Sequence, residues 1–182
     1  MLRHSVAQTY NFNTIPSLGN LVMRLALYQP DIPQNAGTLI RLGACLAIAI
    51  DIIEPAGFAF SNRDLKRAAL DYGPLAEIER HRSWSAFEDQ RRRSGRRLVL
   101  LTTKASLTYT DFLFRADDVV LVGRESAGVP EQVHEAAAAR LAVPLLAGAR
   151  SLNVAVAAAM VLGEALRQTN GWPVSASEGE VA

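Results

Sequence analysis

The chain has 182 residues, 49% of them hydrophobic, enough for one full core in a single domain. A net charge of +1 excludes a supercharged nucleic-acid binder, although local basic patches remain open to RNA. The single cysteine, Cys45, excludes an internal disulfide framework and a Cys-rich metal site, and His4, His81 and His134 are too scattered in sequence for a metal motif.

Residues 1–20 hold no acid and no continuous apolar stretch, so they read as a disordered extension and not a secretory signal. Met23 would make an alternative first residue. The domain is expected over 21–170, followed by a disordered tail at 171–182. No apolar run reaches the roughly 18 residues of a membrane span, so a cytoplasmic protein is expected.

Leu21 to Tyr28 is an apolar, strand-like run, and Pro30 and Pro33 enforce an extended turn after it. Asn35 fits the N-cap of a helix reaching about Ala47. Ile48 to Ile53 is a second strand, and Ser61 or Asn62 caps a short basic helix ending near Leu70. Ala76 to Glu79 reads as a third strand. Ser83 or Ser85 opens a helix that closes on Arg91, Arg92 and Arg93, the end that favours cations. Strands at 98–102, 119–122 and 141–143 alternate with helices at 130–138 and 151–168. Such alternation predicts an α/β fold with a mostly parallel sheet flanked by helices. Ligands then bind beyond the carboxyl ends of the strands, where Thr103-Lys104, Gly123 to Gly128 and Pro144 to Arg150 lie.

Three segments could carry chemistry. In Gly123 to Pro130, Gly123 permits close approach to the backbone, Gly128 permits a positive φ, and Glu125 and Ser126 offer polar groups; an ordinary strand–turn–helix connection fits the same residues. The spacing matches neither a P-loop nor a dinucleotide fingerprint. Ser151-Leu-Asn153 opens an apolar helix: Ser151 suits a cap, and Asn153 needs a hydrogen-bond partner if it is buried. Asn35 and Arg41 lie under two turns apart, with Arg41 suited to an anion, a subunit contact or an ordinary surface position. Arg80, His81, Arg82, Arg91, Arg92, Arg93, Arg96 and Arg97 form the densest basic region, and Arg63, Lys66 and Arg67 add a second cluster. They are read as phosphate contacts or as solvated faces.

Taken in order, Asn35-Ala-Gly37 with Arg41, Leu101-Thr-Thr-Lys104, Gly123-x-Glu125-x-x-Gly128-Val-Pro130 and Val143-Pro144 leading to Arg150-Ser151-Leu-Asn153 resemble the SPOUT class of RNA methyltransferases. Within it they are similar to the SpoU-type ribose 2′-O-methyltransferases, and Ile53 to Phe58, Leu65 to Arg67 and Leu70 to Tyr72 resemble the small members that methylate cytidine or uridine 34, the wobble nucleotide of tRNA. Ala47 departs from the pattern, since many relatives carry Gly there, and Ala155 stands where Ser or Thr is frequent.

The resemblance implies a C-terminal trefoil knot, a homodimer, tRNA as partner, and S-adenosylmethionine as methyl donor with S-adenosylhomocysteine as product; it implies no metal and no membrane. Carried over by motif, Leu101, Gly123, Gly128, Val143 and Ser151 would hold the cofactor, while Arg41, Asn35, Asn153 and Glu125 would form the catalytic corner. Because guanidinium is a poor base, Arg41 is read as a clamp on the target phosphate that orients the hydroxyl. Other RNA positions, a non-catalytic RNA-binding dimer and a flavodoxin-like nucleotide-binding domain are the competing readings.

Overall fold

The computed structural model describes residues 23–58 and 76–173. Its elements in chain order are β1 (Arg24–Tyr28), α1 (Pro33–Leu46), β2 (Ala49–Ile53), β3 (Ile78–His81), α2 (Trp84–Arg93), β4 (Leu98–Leu101), β5 (Leu107–Thr108), a single 3-10 turn (Tyr109–Asp111), β6 (Val119–Val122), α3 (Glu131–Ala136), β7 (Ala139–Ala142) and α4 (Val154–Thr169). The strands form one seven-stranded sheet in the order β3-β2-β1-β6-β4-β7-β5. Every strand pairing in it is parallel.

Side-chain alternation sorts the core into two layers. Leu25, Leu27, Ile50, Ile52, Val120 and Val122 pack against Ala36, Leu39 and Ile40 of α1 and Ala158, Val161 and Leu162 of α4. Ala26, Tyr28, Ile53, Leu98, Leu100 and Leu121 pack on the other face against Phe87 of α2 and Val133 of α3. Both faces are covered, which is why β1, β2 and β6 read as almost continuous apolar runs. No helix among the described residues is long and apolar enough to cross a membrane.

Several boundaries differ from the sequence expectation. The first helix starts at Pro33, with Ile32 as N-cap and no side-chain cap, so Asn35 lies inside the first turn and its amide is released for other contacts. Proline at the first helical position supplies the nucleus that a polar cap would otherwise provide. The last helix is capped by Asn153, whose Oδ1 accepts from the backbone N–H of Ala155 (2.9 Å) and Val156 (3.3 Å), and not by Ser151. The expected strand at 141–143 forms earlier, at Ala139–Ala142, and the two-residue β5 escaped notice because it is too short to show a period. Ser83 does cap α2, accepting from Ala86 N–H at 3.2 Å. The expected helix near 61–70, with Arg63, Lys66 and Arg67, lies outside the described residues.

Candidate active site

The strand order reverses beside β1: β2 and β3 lie to one side of it, β6 and β4 to the other. Loops at such a switch point diverge and leave a crevice at the carboxyl ends of the strands. A cleft of about 530 Å³ opens there, walled by the segments after β4, β6 and β7 and by the approach to α4. Leu101, Gly123, Gly128, Val143 and Ser151 all line it, as do Asn35, Glu125 and Asn153. Arg41 does not; it is exposed on α1, six residues or about 9 Å along the axis from Asn35.

One corner of the cleft is a hydrogen-bonded chain drawn from three distant segments. Asn153 Nδ2 donates to Asn35 Oδ1 at 2.9 Å, and Asn35 Nδ2 donates to Glu125 Oε1 at 3.0 Å. Glu125 and Asp31 then clasp each other: the Asp31 N–H donates to Glu125 Oε2 (3.1 Å) and the Glu125 N–H to Asp31 Oδ1 (3.2 Å). The Ser126 hydroxyl donates to Asp31 Oδ2. Hydrogen bonding to Glu125, and after it to Ser126, holds the Asp31 carboxyl down at about 2. Arg124 completes the cluster, its Nε 3.7 Å from Asp31 Oδ2, an ion pair with no hydrogen bond at that buried nitrogen. Asp31 and Arg124 were missed in the sequence. The available signal was an acid between Pro30 and Pro33 immediately before a helix.

The turn itself is fixed by two glycines. Gly128 adopts φ +67°, as expected, and its N–H and C=O pair with the C=O and N–H of Arg124 at 2.8 and 3.0 Å. Gly123 has a different reason for lacking a side chain: a Cβ there would lie 2.7 Å from the Gly128 carbonyl carbon. Gly123 still lines the cleft, so its missing side chain serves the closure of the loop as well as leaving its backbone open to the cleft.

The basic stretch at 91–97 lies at the other end of the sheet, about 13 Å of strand away. Arg91 is turned inward, with Nε and Nη2 donating to the buried Glu88 at 2.7 and 2.8 Å. Arg92 donates to the same carboxylate at 2.6 Å but remains largely in solvent, and Arg93 is exposed. Arg97 is paired with the buried Asp118 and lies over the Phe112 ring, 4.7 Å from its centroid. Much of this run is therefore structural.

A second polar cluster was also unread. Asp51, in the middle of β2 and 2% exposed, accepts from Arg24 Nε (2.7 Å) and Nη2 (2.9 Å) and from His81 Nε2 (2.8 Å). Donor atoms of Asp51, Glu79 and His81 lie within 4.8 Å of one another, so His81 is less isolated in space than in sequence. The Arg24 guanidinium already bonds both carboxylates, and a metal ion would have to displace that charge.

Residues 22–163 match the SpoU rRNA methylase family. A tRNA (cytidine(34)-2′-O)-methyltransferase of Beijerinckia indica is 63% identical over 144 residues, covering 79% of this chain and 90% of the relative. Another, from Ancylobacter novellus, is 59% identical over 152 residues, covering 84% and 96%. Among solved structures, one concerned with 2′-OH methylation of C/U34 on tRNA superposes with a TM-score of 0.77 at 39% identity, covering 84% of this chain and 99% of that one. An AdoMet-bound rRNA methyltransferase from Sinorhizobium meliloti superposes with a TM-score of 0.72 at 28% identity, covering 80% and 56%.

Proposed function

The chain belongs to the SpoU methylase family, and we propose that it is a tRNA methyltransferase acting on the ribose 2′-hydroxyl of nucleotide 34, the wobble position of the anticodon loop. The observation that carries this reading is the Asn153–Asn35–Glu125 chain, opening onto a cleft in a protein 59–63% identical to methyltransferases named for that nucleotide.

The cleft fits S-adenosylmethionine in size and in chemistry. Its 530 Å³ lies within the range of sites for small ligands, and it combines apolar walls (Leu101, Val143, Leu145, Leu152) with backbone groups of three loops. When bound, the cofactor supplies an electrophilic methyl group on a sulfonium. Leu101, Gly123, Gly128, Val143 and Ser151 are the residues proposed to hold it. A C-terminal trefoil knot accompanies this reading, supported by the convergence of the segments after β4, β6 and β7 around 150–154.

The protein's task is then alignment and removal of one proton. Asn35 and Asn153 hold each other in fixed rotamers and position the ribose. Glu125, tied to Asp31 and Asn35, is proposed to shape the loop at the cleft wall, where its carboxylate would soften the positive charge of a bound sulfonium. Arg41 is proposed as the phosphate clamp, and its place outside the cleft of its own chain favours supply from a second copy. Exposed apolar side chains on α4 (Val156, Met160), with Leu152 just ahead of its cap, support a homodimer packed through that face. Arg92 and Arg93 fit contacts with a remote part of the tRNA.

The test is methyl transfer from labelled S-adenosylmethionine to tRNA lacking 2′-O-methyl groups, with the product mapped by nuclease digestion and mass. Label at nucleotide 34 is expected; label at another position overturns the substrate assignment.

A further inference from the structure

The loop after β4 gives Thr102 and Thr103 to the cleft, and its next residues, from Lys104 on, line a second and larger polar groove of about 670 Å³ beside α3 and β7. Lys104 and Arg140 are exposed on this groove, and neither forms an ion pair among the described residues. The nearly buried His134 and the Ser106 hydroxyl add polar groups, and Glu131 is the one acid in the lining. Among the other described cations, Arg24, Arg80, Arg91, Arg92, Arg97 and Arg167 are paired with carboxylates, while Arg82, Arg93, Arg115 and Arg150 form no ion pair among the described residues and lie outside this groove. Two unpaired cations on one concave surface, with Lys104 one residue along the chain from the cleft wall, concentrate positive potential beside the cleft.

We propose that this groove holds the phosphate backbone of the RNA strand next to the target nucleotide, with Lys104 and Arg140 as the phosphate contacts. The proposal rests on the tRNA methyltransferase reading above. A strand whose ribose enters the cleft must leave it past Thr103 and Lys104 or away from them, and the first path meets positive charge. Phosphate contacts of this kind set affinity and register without reading sequence. They also fix a salt signature, because each contact with a single strand adds about 0.7 to the slope of log affinity against log salt. Two contacts add about 1.4, which makes affinity fall about sevenfold more between 50 and 200 mM salt.

The experiment uses the full chain and an unmodified tRNA transcript that the wild type methylates at nucleotide 34. Binding and KM are measured across that salt range for the wild type, for Lys104→Ala/Arg140→Ala and for Glu131→Gln. The double variant is expected to lose about 1.4 from the salt slope and to raise KM for tRNA, with S-adenosylmethionine affinity at the wild-type value. Glu131→Gln is expected to tighten tRNA binding about twofold by removing the opposing charge. Both substituted cations are exposed, so unchanged thermal unfolding checks the fold. A wild-type salt slope in the double variant overturns the groove assignment and leaves the enzyme reading standing. Failure of the wild type to methylate tRNA overturns the reading beneath both.

Discussion

Asp51→Asn tests whether the polar cluster across β1, β2 and β3 holds the fold. The substitution keeps the side-chain shape and removes the charge that Arg24 and His81 share. Burial pushes the Asp51 carboxyl up, but the hydrogen bonds and charges of His81 and Arg24 more than offset it, leaving it below the usual range. Removing one member of a buried pair costs about 3–5 kcal/mol. The Arg24 side chain keeps some solvent contact (14% exposed) and retains Glu77 and Glu79 at 3.3 and 3.2 Å, so the low end, about 3 kcal/mol, applies. At about 2–4 °C per kcal/mol for a chain this size, the melting temperature should fall by about 6–12 °C at pH 7. Because the folded carboxyl titrates below the unfolded one, its contribution is complete above the unfolded value near 3.8 and is lost as pH falls through the folded value. The gap between wild type and variant, followed by circular dichroism melts from pH 7 to pH 3, should therefore close on the acid side. A drop under about 2 °C at pH 7, or a gap that persists unchanged at pH 3, would refute the account. The paired change Arg24→Met/Asp51→Leu should recover much of the loss by removing both charges.

Four further outcomes follow from the same geometry. Asn35→Ala, which cuts the chain between Asn153 and Glu125, should lower kcat about 100-fold while S-adenosylmethionine binding by calorimetry stays near wild type. Arg41→Ala should abolish methyl transfer with cofactor affinity nearly intact; equal loss of cofactor binding would make the clamp role wrong. Ala47 adopts φ 54° at the end of α1, so Ala47→Gly should stabilise by about 1 kcal/mol, read as a melting temperature about 2–4 °C higher. Gly123→Ala should damage cofactor binding more than Gly128→Ala, because the first Cβ meets backbone at 2.7 Å while the second meets open space at the cost of about 1–2 kcal/mol of strain.

Much of the fold was legible because its strands are buried on both faces and separated by strong turn signals; Pro30, Pro33 and Gly57 punctuate β1 and β2 unmistakably. The lining of the cleft was legible for a different reason. The loops at Gly123 to Gly128 and Pro144 to Arg150 follow strand ends, and parallel strands gather their carboxyl ends on one edge, while Leu101, Val143 and Ser151 were singled out by the motif resemblance. What escaped depends on pairing across the sheet. Asp51 in Ala-Ile-Asp-Ile-Ile looks like a polar interruption until Arg24 and His81 arrive from the neighbouring strands on either side. Arg97 looks like surface charge until the buried Asp118, immediately before the neighbouring strand β6, is placed beside it. Charge in a sequence has no partner; charge in a parallel sheet acquires one from a residue dozens of positions away.

The same dependence shapes the reactive corner. Asn153 and Asn35 are 118 positions apart, and Asn35 and Glu125 are 90 apart. Asn35 and Glu125 meet because β1 and β6 are neighbours, in register from Arg24–Val119 to Leu27–Val122, so that the loops leaving both strands emerge side by side, and Asn153 joins them where α4 starts beside α1. The Asp31–Glu125 clasp joins those two loops directly. A chain in which β6 has not yet docked beside β1 lacks both the clasp and the Asn35–Glu125 bond. The polar corner therefore assembles as a unit with the sheet, and a substitution that loosens the β1–β6 seam should lower activity before it changes helix content.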